Sequence, residues 1–141
     1  MVIVILAILG TLAGPRFFDN DAFSERAYAD ELTAALRYAQ KVAIASGCQV
    51  RVDVSAATYA VRQQAALSGH CDVSDASFPL PVLLSTGETL DGVAPANVST
   101  APALTFSFDA LGRTDLGADQ TFTVGSRLLT VEAGSGLVLS P

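Results

Sequence analysis

Residues 31–54 read ELTAALRYAQKVAIASGCQVRVDV, and the apolar period changes in the middle of the stretch. Up to Ala43 the apolar side chains recur every three or four residues. Leu32, Ala35, Leu36, Ala39 and Ala43, joined upstream by Tyr28, form one stripe on a helix. Arg26, Asp30, Arg37 and Lys41 fall mostly off that stripe. After Gly47 the period becomes two: Cys48, Val50, Val52 and Val54 alternate with Gln49, Arg51 and Asp53, the signature of a half-buried strand. A helix that hands over directly to a strand, each with one apolar face, predicts a helix packed on a sheet.

Working outward, the helix is expected over residues 24–46, with Ser24 as N-cap and Gly47 as the C-terminal stop. Glu25, Asp30 and Glu31 come early and Arg37 and Lys41 late, as the helix dipole favours. Asp19-Asn20-Asp21 reads as a polar, turn-like linker. Beyond Val54, Ser55-Ala56-Ala57 turns the chain into a second strand at residues 58–62. Leu104, Phe106 and Phe108 alternate with Thr105 and Ser107, and Phe122 and Val124 mark a further strand. Residues 128–132 and 137–139, joined through Gly134-Ser135-Gly136, read as a closing hairpin. Residues 68–102 are rich in Gly, Pro, Ser and Asp and are expected to be mainly loop, with at most a short strand at residues 82–84. The layout is α+β: one long helix on an antiparallel sheet.

The other end of the chain is different in kind. Residues 1–13, MVIVILAILGTLA, carry no charge, and Arg16 is the first charged residue. The run is too short for the roughly 20 apolar residues of a membrane-spanning helix. It also lacks the basic n-region and cleavage site of a secretory signal. A buried core segment would need covering on all sides. The organisation is therefore an apolar N-terminal segment with linker over residues 1–24 and a globular head over residues 25–141.

These residues carry a resemblance. MVIVILAILGTLAGPRFF is similar to the interior of the N-terminal helix of type IV pilins. That resemblance implies further helix residues ahead of Met1, with a leader ending in Gly and a docking Glu. With seven family residues placed ahead of Met1, Pro15 falls where many pilins carry a helix-kinking proline. Pro15 removes an i→i−4 hydrogen bond, and Gly10 and Gly14 weaken the helix around it, so Gly14-Pro15 is the expected kink. The alternative is that Gly14-Pro15 ends one helix before another begins. The 31–54 stretch resembles the helix-to-strand junction of the GspH/FimT group of minor pilins and pseudopilins. The longer stretch from Pro15 to Cys48 is closer still to the minor pilins of mannose-sensitive haemagglutinin (MSHA) pili. Phe106-x-Phe108-x-x-x-Gly112 and the final hairpin fit the GspH-like pattern.

What the resemblance implies is a pilin fold and a structural role. The assembly and membrane helix would carry Val2, Ile3, Val4, Ile5, Leu6, Ile8, Leu9 and Leu12. It would hold the subunit in the bacterial inner membrane, with its head in the periplasm, and then pack among equivalent helices in the filament. The partners are other pilin or pseudopilin subunits. A GspH-like minor pseudopilin of type II secretion is the alternative within the class. A membrane-anchored periplasmic binding module is the alternative outside it.

The chemistry available is sparse. The chain of 141 residues has two cysteines, one histidine and no tryptophan, with a formal net charge of −6. An acidic chain does not bind nucleic acid through bulk charge, and its C-terminal region offers only Arg127 for the purpose. Cys48 and Cys71, an even pair in a head that follows a membrane anchor, suggest a periplasmic disulfide; two free buried thiols are the alternative. His70 with Ser68 and Asp72 lies on one loop, which does not assemble a hydrolase triad from defined elements. His70 and the cysteines are too few for a zinc site. Asp19-Asn20-Asp21 lacks the Gly and Glu of a calcium loop. Asp109, Asp115 and Asp119 flank the Leu111-Gly112-Arg113 turn and are read as solubilising, with a calcium site as the alternative. No enzyme activity, cofactor, metal or small-molecule substrate is expected.

Overall fold

The computed structural model describes residues 20–140. Helix α1 runs Asn20–Ser46, 27 residues with no Gly or Pro among them. It is already formed four residues before the expected N-cap. Asn20 and Asp21 are helical rather than turn, and the Ser24 hydroxyl reaches back to the Asp21 carbonyl at 3.4 Å inside the helix. Nothing in Asn20-Asp21-Ala22-Phe23 breaks a helix, and Asp21 in the first turn complements the dipole. The last turn holds no basic residue. The helix stops where expected: Gly47 takes φ +69°, and its N–H donates to the Ala43 carbonyl at 2.9 Å.

The strands form two main antiparallel sheets rather than one. In the first, β1 (Val50–Val54) lies between β2 (Thr58–Gln63) and β8 (Leu104–Phe108). The short strands β5 (Leu80–Pro81) and β6 (Asp91–Val93) pair with β2. In the second, β7 (Thr100–Ala101), β9 (Gln120–Val124), β10 (Arg127–Val131) and β11 (Val138–Leu139) lie in the order β11-β10-β9-β7. A two-strand ribbon of β3 (Ala66–Leu67) and β4 (His70–Cys71) stands apart. The split has a local cause at the outer edge of β8. There the chain folds back on itself: the Asp115 N–H donates to the Ser107 carbonyl at 3.1 Å, and the Asp115 carboxylate accepts the Ser107 N–H at 2.8 Å. This end of the β8 edge is occupied and closed to a further strand.

Within residues 68–102 the expected strand at 82–84 moves to Leu80–Pro81, with Val82 buried just beyond. The region also contributes β4, β6 and β7, each two or three residues long and too short to leave a periodic signal. Cys48 precedes β1 rather than belonging to it, but it is buried.

The core is a sandwich of helix on sheets. Leu32, Leu36, Ala39 and Ala43 are fully buried, and Tyr28 and Ala35 nearly so. They meet Val50, Val52, Phe106 and Phe108 of the first sheet and Phe122, Val124, Leu129, Val131 and Val138 of the second. The small Ala35, Ala39 and Ala43 bring the helix close enough to cover both sheets at once. Burying each large aliphatic side chain contributes about 1.5–3 kcal/mol, so this one stripe ties both sheets into a single body.

Candidate functional site

Helix α1 is fixed to the sheets by polar groups along both flanks of its apolar stripe. On one flank, Glu25 Oε1 accepts the Ser126 N–H at 2.7 Å and the Ser126 hydroxyl at 2.6 Å, across 101 residues of chain. These bonds, the side-chain one first, hold the Glu25 carboxyl below its usual range. Arg37 Nη2 donates to the Val138 carbonyl at 3.0 Å. Gln40 Nε2 donates to the Gly112 carbonyl at 2.8 Å and the Ser135 carbonyl at 3.0 Å. The helix thereby holds three turns of the C-terminal half. On the other flank, the Tyr59 hydroxyl donates to Glu31 Oε1 at 2.7 Å, and the Tyr38 hydroxyl donates to the Leu83 carbonyl at 3.2 Å. Burial, then the bond and charge of Glu31, push the Tyr59 hydroxyl's pKa well above its ordinary value.

The end of the helix is fastened by a disulfide between Cys48 and Cys71, with Cα atoms 5.3 Å apart. It ties the β3–β4 ribbon to the helix-to-strand junction. A polar knot beside it completes the fastening. Gln64 is 3% exposed; its Oε1 accepts the Gln49 N–H at 3.0 Å, and its Nε2 donates to the Asp75 carbonyl at 3.2 Å. The Asp75 carboxylate accepts the Ala65 N–H at 2.8 Å and bonds with Ser77, and these bonds, Ser77's first, lower its pKa.

The other candidate residues do structural work within their loops. Burial pushes the Asp109 carboxyl up, but the N–H groups of Arg113 and Leu111 and the Arg113 charge outweigh it, so the net shift is down. Its ion pair with Arg113 spans 2.9 Å. Asp115 binds Ser107, and Asp119 Oδ1 accepts the Ala133 N–H at 2.9 Å. The three carboxylates thus cap three different backbone segments. His70 is exposed on β4, while Asp72 turns to Ser74 and away from any triad. Among the described residues no group of His, Cys, Asp and Glu is placed to hold a metal. Burial, then the Glu31 charge, push the Tyr28 hydroxyl's pKa up, and neither its oxygen nor that of Thr100 has a hydrogen-bond partner. The apolar residues Val2 to Leu12, the expected kink at Gly14-Pro15 and Asp19 lie outside the described residues. No helix among the described residues is long and apolar enough to cross a membrane.

Sequence reasoning brought out the cysteine pair and the helix stripe but missed the clamps by Glu25, Gln40 and Gln64. A Gln or Glu on a helix flank or just past a strand looks solvated, and only the fold supplies its partner, from 11 residues away for Gln64 to 101 for Glu25.

A long helix with a disulfide-fastened junction, laid across antiparallel sheets, defines a pilin-type head. Solved structures agree on that fold. The type IV minor pilin FimU of Pseudomonas aeruginosa PAO1, in space group P21, superimposes with TM-score 0.57 at 15% identity, covering 86% of this chain and 90% of that one. A second FimU structure, in space group P65, gives TM-score 0.53 at 14% identity, covering 82% and 91%. No curated protein sequence matches the chain. Residues 28–139 match the family described as Type II transport protein GspH, and the chain belongs to that family. It is a subunit of the minor pilin and pseudopilin type.

Proposed function

We propose that this protein is a minor pilin of an MSHA-like type IV pilus. In this reading its N-terminal helix, with Val2, Ile3, Val4, Ile5, Leu6, Ile8, Leu9 and Leu12, docks among the helices of neighbouring subunits. The observation that carries the reading is the completeness of the head. Helix α1 spends its whole apolar stripe on its own two sheets. Residues 1–13 then add an uncharged run that a finished core does not need. Such a run is stable in lipid before assembly and among like helices after it. Gly14-Pro15 gives the two halves of the chain a point at which to bend. The Cys48–Cys71 bridge suits an oxidising periplasmic head. Nothing in this mechanism calls for bond chemistry or nucleic-acid binding.

The family match also favours a second reading, a minor pseudopilin of a type II secretion system. Shearing filaments from the cell surface and blotting for this chain separates the two. The pilus reading predicts the chain in the sheared fraction alongside a major pilin. Retention at the inner membrane, with secretion of exoproteins lost on deleting the gene, would establish the pseudopilin instead. A freely soluble periplasmic chain would contradict both.

A further inference from the structure

Where helix α1 meets the outer part of the first sheet, a groove of about 630 Å³ opens between the helix and residues 84–91. That is within the range of about 300–1,000 Å³ typical of ligand-binding clefts. Its floor is apolar: Ala34 and Ala35 from the helix, Leu84 and Leu90 from the facing segment. Tyr38 and Tyr59 wall it, and Glu31, Glu88 and Asp91 stand on its rim.

The groove is held open by close packing. A Cβ on Gly92 would come within 2.4 Å of the Tyr59 ring and 2.7 Å of Glu31 Oε1, so glycine there lets both side chains lie against β6. The rim carboxylates bond only to neutral hydroxyls. Glu31 accepts from Tyr59, Glu88 from Thr86 at 3.2 Å, and Asp91 from Thr89. No cation lines the groove, and both ion pairs among the described residues, Arg51–Asp53 and Arg113–Asp109, lie elsewhere. An apolar trough beneath three carboxylates that take part in neither ion pair suits an occupant with an aliphatic stem and a cationic end. Lysine and arginine side chains have that build.

We infer that this groove receives a Lys- or Arg-bearing segment of a partner protein, its stem on Ala34, Ala35 and Leu90 and its cation among Glu31, Glu88 and Asp91. The choice of a protein partner rests on the assembly reading above; the groove's preference for an aliphatic cation does not. The chain's net charge of −6 favours encounter with such a segment.

The test uses the full chain in a non-ionic detergent and a fluorescein-labelled hexapeptide alternating leucine and lysine, read by anisotropy. The expected result is saturable binding that the matching leucine–glutamate peptide does not show. The double substitution Glu88→Gln/Asp91→Asn should weaken it by about tenfold or more. Ala34→Arg, which places the chain's own cation in the trough, should weaken it similarly. Both variants should unfold thermally at the parent's midpoint. Parent-like binding by a folded Ala34→Arg variant would overturn the inference. So would displacement of the peptide by an equal concentration of spermine, which would make the groove a polyamine site. Absent peptide binding in a chain that still co-purifies with pilins would sink the groove and leave the assembly reading standing. The reverse outcome would do the opposite.

Discussion

Glu25 shows how much a single side chain can do on an exposed helix flank. Its carboxylate accepts two hydrogen bonds from Ser126 and so pins the β9–β10 turn to the start of the helix. Because these bonds favour the ionised form, its folded pKa is depressed below 4.5. A depressed pKa gives stability that is present above the unfolded value and lost as pH falls through the folded one. Stability should therefore decline on acidification below about pH 4.5, and Glu25→Gln should flatten that decline, as chemical denaturation at a series of pH values will show. An unchanged acid slope in the variant would contradict the clamp. Gly92 makes the opposite kind of demand, for absence of a side chain. Gly92→Ala should destabilise the head by about 1–3 kcal/mol through overpacking against the Tyr59 ring, measured as a lower denaturation midpoint. Neither role is legible locally: Glu25 reads as a dipole-friendly acid and Gly92 as a loop glycine, because both partners are brought in by the fold.

At the scale of elements, legibility follows length and period. Helix α1 and the strands β1, β2, β8, β9 and β10 have five or more residues each, and their apolar spacing announced them. The strands of residues 68–102 are held by pairing to β2, β3 and β9 rather than by pattern, so they read as loop. The division into two sheets was also hidden, since it depends on Asp115 folding back onto Ser107. The Cys48–Cys71 bridge joins the helix-to-strand junction to the β3–β4 ribbon. It closes a loop with a sequence separation of 23. Cys48→Ser/Cys71→Ser should therefore cost about 3 kcal/mol in the chain-entropy account, read by denaturant unfolding of the parent and the variant. The parent should also resist thiol labelling when unfolded without reductant. Labelling of both cysteines under those conditions would contradict the bridge.

For the whole molecule, the polar clamps and the single apolar stripe make one body from a helix and two sheets, and that body is self-sufficient. In the proposed role its acidic surface and apolar N-terminal run divide the labour: the head faces solvent, and the run docks on other chains. The most direct test of assembly is co-purification from detergent-solubilised membranes of the native host, with partners identified by mass spectrometry. The full chain should recover pilin or pseudopilin subunits, and a chain lacking residues 2–12 should lose them while keeping its Cys48–Cys71 bridge and the same unfolding midpoint. Recovery of the same subunits without residues 2–12 would contradict assembly through the N-terminal helix.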